Sequence, residues 1–473
     1  MLLRMATYLL FSAAIVFAIC DQGGGFDPTY RIVIGAQQPV SSLPSARQLL
    51  GTDVIGSICD KLEADVVFRC AEHWSTGMAG YALSNTPIPQ AISAALPPEA
   101  NGLIFQVQGD IYYQNQIGPT SPPSTPLPQC VLNQFRRKLA AAAAATPPTY
   151  TGPPTYAPVY SQVGAEATLS FLSAYASPTG KSCFPNCQQP NTFRYAATGR
   201  GVTVYIVDQA IANHTDFQRS DGTYAISSDR WYSPPALANV GQQCASWHGT
   251  HVGGIVAGTL YGVAKDAELV SVAVQPGCNQ DGRTSDLIAG LDWVLTRHLK
   301  QKGPAIVSMS LIVDSSGAGQ ILAQQVAELI SAGVTVVVAA GNFANDACDY
   351  EPANLPDVIT VAAAQLDTVR DVPYASAWAL SDTGPCVTIW APGAFVQSDS
   401  STGPSGVAIY SGTSQATPAV SGLAAHFLER CPTASPAAVM AHLMNTSFDA
   451  LTGAPAKTTS RVAQVALDFC ASA

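Results

Sequence analysis

The chain has 473 residues, of which 47% are hydrophobic and 11% charged, and its formal net charge is −10. That is enough chain for two or more domains and enough apolar residue to bury them. The low charge density excludes a largely disordered chain, and the acidic balance excludes a phosphate-binding surface, so neither nucleic acid nor an acidic membrane is expected as a partner.

Residues 1–20 read MLLRMATYLLFSAAIVFAIC. Arg4 precedes an apolar stretch from Ala6 to Ile19, and small residues stand near Cys20. This is the pattern of a cleaved secretory signal, and the run is shorter than the roughly 20 residues a span needs. A secreted, extracellular protein with no membrane association after signal removal is therefore expected. Twelve cysteines fit an oxidising compartment. Cys59 and Cys70 are close enough in sequence to pair, whereas the connectivity of the others is left open. Asn213-His214-Thr215 and Asn445-Thr446-Ser447 are glycosylation acceptor patterns.

Residues 28–116 are of mixed composition. They carry a strand-like YRIVIG, a helical stretch near Pro89–Leu96 and a second strand-like run, GLIFQVQGDIYY. A small α+β unit is expected here. Residues 117–163 shift to Pro, Thr and Ala, as in PTSPPSTPLPQ and LAAAAAATPPTYTGPPTYAPVY, which reads as a linker.

Residues 164–473 form the main domain, and a regular pattern begins at Gly201. VTVYIV (202–207), LVSVAV (269–274), AIVSMSL (305–311), VTVVVAA (334–340) and VITVAAA (358–364) are unalternating apolar runs, as strands buried on both faces should be. Helical patterns lie between them near 251–260, over 286–300 and over 320–332, the last closed by Gly333. Strand–helix alternation predicts an α/β fold with a mainly parallel sheet between helix layers, and functional residues at the strands' carboxyl ends.

Three polar residues stand out there. Asp208 ends the run 202–207, His248 begins HGTHVGG, and Ser414 lies in SGTSQATP ahead of an apolar helical run. Each taken singly reads as a cap or turn residue. Together they supply what a serine nucleophile needs: an imidazole to take its proton and a carboxylate to orient the imidazole. Asn342, in VVVAAGN at a strand end, adds a side-chain amide for the oxyanion of a tetrahedral intermediate.

The segments VYIVDQAI, HGTHVGGIVAG, VVVAAGN and GTSQATPAVSGLAA resemble the Asp, His, Asn and Ser signatures of the subtilisin family, in the order Asp…His…Ser. YGVAK and IAGLDWV resemble its proteinase K-like branch. The resemblance covers about residues 201–428. It implies a subtilisin-like three-layer fold and a secreted serine endopeptidase, monomeric, acting on proteins or peptides. Asp208 would orient the imidazole, His248 act as base and acid, Ser414 attack, and Asn342 bind the oxyanion. His251 reads as a packing or hydrogen-bonding residue. The stretch 77–110 resembles the second half of the family's inhibitory prodomain, so residues 28–116 are expected to be an intramolecular inhibitor and the chain an autoprocessed zymogen.

Substrate would lie between Ser310-Leu311-Ile312 and Ala339-Ala340-Gly341, with Gly282 on a second edge. Three departures stand out. Asp208-Gln209-Ala210 replaces Asp-Thr-Gly, Trp247 precedes HGTH, and Ser310-Leu311-Ile312-Val313 replaces Ser-Leu-Gly-Gly. Ile312 is expected to narrow the pocket for the side chain preceding the scissile bond (P1). The alternative function is a catalytically silent peptide-binding protein of the same fold. No cofactor is required. The calcium site of proteinase K-like enzymes is incomplete: carbonyls at Pro356-Asp357-Val358 remain, but Thr388 stands where the aspartate is expected, so calcium should bind poorly.

Overall fold

A computed structural model describes residues 31–36, 54–64, 68–74, 77–82, 105–109, 112–113, 160–173, 192–232, 247–275, 282–369, 372–449 and 451–466. The helical stretch expected near Pro89–Leu96 lies outside them.

The N-terminal unit comprises β1 (Arg31–Ala36), α1 (Val54–Ala64), β2 (Phe68–Trp74), β3 (Gly77–Ala82), β4 (Phe105–Gly109) and β5 (Tyr112–Tyr113). The first four strands form an antiparallel sheet in the order β2-β3-β1-β4. Ile55, Ile58 and Leu62 are spaced so that they share one face of α1, and all three are buried. A disulfide joins Cys59 of α1 to Cys70 of β2.

The main domain opens with β6 (Tyr160–Val163), α2 (Ala167–Leu172) and β7 (Thr192–Tyr195). Composition placed β6 in the linker, but it pairs antiparallel with β7. Then follow β8 (Thr203–Asp208), β9 (Trp231–Tyr232), α3 (Trp247–Ala257), β10 (Glu268–Ala273), β11 (Gly282–Arg283), α4 (Thr284–Gln301), β12 (Ala305–Met309), β13 (Val313–Asp314), α5 (Ser315–Ser331) and β14 (Thr335–Ala339). The remaining elements used below are β15 (Tyr350–Glu351), β16 (Ile359–Val369), β17 (Val372–Ala377), β18 (Ile389–Pro392), β19 (Val396–Ser400), β20 (Gly406–Tyr410) and α6 (Thr413–Arg430).

The central path β18-β16-β14-β12-β8-β10-β9 is parallel throughout. Alternate residues of each strand feed opposite cores, as the pleat requires. Val204 and Ile206 of β8 join one apolar cluster with Val252 and Val256 of α3 and Val420 and Leu423 of α6. Tyr205 and Val207 join the other, with Leu287 and Leu291 of α4 and Leu322 and Val326 of α5. The expected α/β architecture, a mainly parallel sheet between helix layers, is what the chain adopts. Gly333 follows α5 at φ +93°, as its C-terminal position predicted.

This topology positions the site. β8, β12 and β14 are neighbours, and their carboxyl ends deliver Asp208, the segment beginning at Ser310, and the segment leading to Asn342. A helix start on the same side of the core supplies Ser414.

Candidate active site

Asp208 is completely buried at the end of β8. Its carboxylate oxygens lie 2.8 and 2.9 Å from Nδ1 of His248, and Oδ1 accepts a 2.7 Å hydrogen bond from the Gln209 N–H. A carboxylate on Nδ1 leaves Nε2 as the ring nitrogen that is able to take and give a proton.

His248 stands in the first turn of α3, where helix N–H groups lack intrahelical acceptors. Gln209 meets that need: its Oε1 accepts from the His248 N–H at 3.2 Å. Gln209 therefore caps the helix that carries the imidazole. Gly249 explains the next residue of HGTH, because a Cβ there would stand 2.1 Å from the Gln209 carbonyl oxygen. His251, also buried, points its Nε2 at the Ala408 carbonyl and its ring at Tyr410, and burial pushes it down to about 3. It is a packing residue of the β20 hairpin.

Ser414 is the second residue of α6. Its Oγ donates to the Ser310 carbonyl at 3.2 Å, while Ser310 Oγ donates to the Ser414 carbonyl at 2.9 Å. The second bond has a local cause. Pro418, four residues on, has no N–H to give the Ser414 carbonyl, and Ser310 takes the acceptor instead. The proline in GTSQATP thus ties the start of α6 to the end of β12.

Asn342 is fixed in the same way. Its Oδ1 accepts from the Thr413 N–H at 2.8 Å and from Thr413 Oγ1 at 2.9 Å, and Thr413 Oγ1 accepts from the Gly341 N–H at 3.2 Å. With Oδ1 spent on Thr413, the amide presents Nδ2 away from it as a donor. Neither Gln209, Thr413 nor Pro418 was singled out as contributing in this way by sequence reasoning. Only Pro418, at fixed spacing from Ser414, left a local signal.

Of the expected substrate residues, Ser310 and Leu311 are buried and Ile312 is half-buried. The Ile312 Cδ1 would lie 3.0 Å from a Cβ on Gly341, so the two rims meet at this side chain. Ala339 and Ala340 are buried, and the Ala340 N–H donates to Val361 within the sheet. Gly282 pairs with Tyr113 of β5, next to an Arg283–Tyr112 pair.

Residues 199–467 match the sequence profile of the subtilase family. The chain belongs to that family. It is 41% identical over 253 residues to an extracellular serine proteinase of Thermus sp. (strain Rt41A), covering 53% of this chain and 56% of that one. It is 36% identical over 263 residues to alkaline serine exoprotease A of Vibrio alginolyticus, covering 55% and 44%. The crystal structure of a cold adapted subtilisin-like serine proteinase superposes with a TM-score of 0.51 at 29% identity, over 64% of this chain and 98% of that one. The chain spans about half the length of the curated relatives it matches.

Thr388 stands at the position where the calcium aspartate is expected. Thr388 is buried, and its Oγ1 accepts from the Thr360 N–H at 3.2 Å inside the sheet. Among the described residues no cluster of three or more Asp, Glu, His or Cys side chains is arranged for a metal.

Proposed function

We propose that this subtilase is a secreted serine endopeptidase that cuts peptide bonds through an acyl-enzyme. The observation that carries this reading is the buried Asp208 carboxylate on His248 Nδ1. In the first step Ser414 Oγ gives its proton to His248 Nε2 and bonds to the scissile carbonyl carbon, whose oxygen becomes the oxyanion. Asp208 stabilises the imidazolium without taking its proton. Asn342 Nδ2 and the Ser414 N–H, backed by the α6 dipole, are the donors to that oxyanion. Nε2–H then passes to the leaving amine and the C–N bond breaks. In the second step water repeats the sequence and releases the acid. Gln209, one of the departures from the family pattern, accepts the His248 N–H and so supports catalysis.

Residues 28–116 are read as the inhibitory prodomain. Support comes from β5, which pairs with Gly282–Arg283, the edge expected to hold substrate, and from Ala79 of β3, which joins the apolar cluster of α4 and α5. The chain after Tyr113 would then be the segment cut in maturation. Secretion is supported by the apolar residues 6–19 and by disulfides at Cys59–Cys70 and Cys348–Cys386. Protein substrates, a monomeric state and no required cofactor complete the reading.

The test is hydrolysis of a denatured protein by the purified chain, with the new termini mapped by mass spectrometry. Cleavage that Ser414→Ala abolishes supports the proposal, and equal cleavage by both chains contradicts it. Specificity gives a separate prediction. Because Ile312 closes on Gly341, Ala-P1 peptides should be cut faster than Phe-P1 peptides. Ile312→Gly should raise the Phe/Ala ratio of kcat/KM about tenfold or more, the scale on which pocket size discriminates apolar side chains. Phe-P1 turnover equal to or above Ala-P1 in the unaltered enzyme would refute it.

A further inference from the structure

Asp382 is wholly buried, and its placement relative to the catalytic machinery calls for a role. Its Oδ1 accepts 2.8 Å hydrogen bonds from two backbone N–H groups, Phe343 and Asn345, which flank the turn just after Asn342. Its own N–H donates to the Gly341 carbonyl, the residue just before Asn342, at 2.9 Å. Neighbouring bonds, Ala344 N–H to Leu380 and Thr383 N–H to Asn345, fasten the two segments to each other. The second oxygen, Oδ2, is buried and has no hydrogen-bond partner among the described residues. It rests against Gly341, at φ +117°, where a Cβ would be 2.0 Å away. Only glycine can sit there, for both its backbone angle and the space.

We propose that Asp382 is a positioning residue for the oxyanion hole: its carboxyl clamps the turn that carries Asn342, and its charge state sets how well that turn serves the reaction. This rests on the peptidase reading above. An ionised carboxylate behind Gly341 and Asn342 would put negative charge next to the place where the intermediate develops its own, with little solvent to screen it. The neutral acid keeps the clamp without that charge. The groups facing Asp382 favour the neutral form. Burial raises it to about 6 against the two N–H bonds, and the carboxylates of Asp346 and Asp349 add to the rise.

The sign follows. Activity is held down as Asp382 ionises above about 6. The experiment is kcat and KM against pH for the unaltered chain, Asp382→Ala and Asp382→Asn, each after autoprocessing has released residues 28–116, with a fluorophosphonate probe run on each. Asp382→Ala should lose about tenfold in kcat with KM little changed, since the clamp is gone. Asp382→Asn can accept the same two N–H bonds and should recover at least half of that loss. It should also raise the ratio of kcat at pH 8 to kcat at pH 6 about threefold or more over the unaltered chain. Should Asp382→Ala fail to fold, the pH ratio of Asp382→Asn carries the test alone. An unaltered chain that is active, with Asp382→Asn tracing the same pH profile, overturns this inference only. An unaltered chain that has shed residues 28–116 and neither turns over nor labels overturns it together with the peptidase reading.

Discussion

Asp208→Asn is expected to lower kcat by about 10⁴-fold at neutral pH while KM stays near its original value. The reason lies in which ring nitrogen carries the proton. The carboxylate can only accept, so it holds the proton on Nδ1 and leaves Nε2 free to receive the one from Ser414. Asparagine can still accept the Gln209 N–H through its Oδ1, so the turn keeps its local bond. Its NH₂ then faces Nδ1 and favours the opposite tautomer, in which Nε2 already holds a proton. Steady-state kinetics on a peptide substrate, with the thermal midpoint measured alongside, checks this. A loss of less than about tenfold, with the fold intact, would mean that Asp208 does not set the tautomer.

The second large effect is expected at Asn342. Asn342→Ala should cost about 10²–10³ in kcat, the scale for losing one oxyanion donor. The substitution also strips Thr413 of the acceptor for its N–H and hydroxyl, so a general loosening of the site has to be told apart from loss of the donor. A tetrahedral transition-state analogue separates the two. Its affinity should fall by the same factor as kcat, while KM for the substrate barely moves, because the oxyanion exists only after attack. Equal losses in KM and analogue affinity would assign Asn342 to ground-state binding.

Much of the fold was legible because the sheet is buried on both faces. That burial forces continuous apolar runs, and VTVYIV and VTVVVAA could hardly be anything else. Where the ends fell depended on distant residues. Periodicity put the helix of His248 near 251–260, but it begins at Trp247, because Gln209 from another segment supplies the first-turn acceptor. The run 358–364 continues to Val369, where β16 turns back to pair with β17. Helix α1 stands outside the elements expected from composition, although Ile55, Ile58 and Leu62 display its period. That signal was present and short.

The site divides along the same line. Asp208, His248, Asn342 and Ser414 each announce themselves in a distinctive local string. What holds them does not. Asp382 lies 40 residues from Asn342 along the chain and carries no motif, and Thr413 is one more threonine in a Thr-rich stretch. Their roles exist only once β12, β14 and the start of α6 converge.

The reading stands or falls on whether Ser414 is an activated nucleophile. A fluorophosphonate probe reacts with a serine hydroxyl only when a base removes its proton. The chain freed of residues 28–116 should be labelled at a single site, mapped by peptide mass to Ser414, and Ser414→Ala should abolish the label. A correctly folded chain without residues 28–116 that takes up no probe would contradict the account and leave a subtilase fold that binds peptides without cutting them.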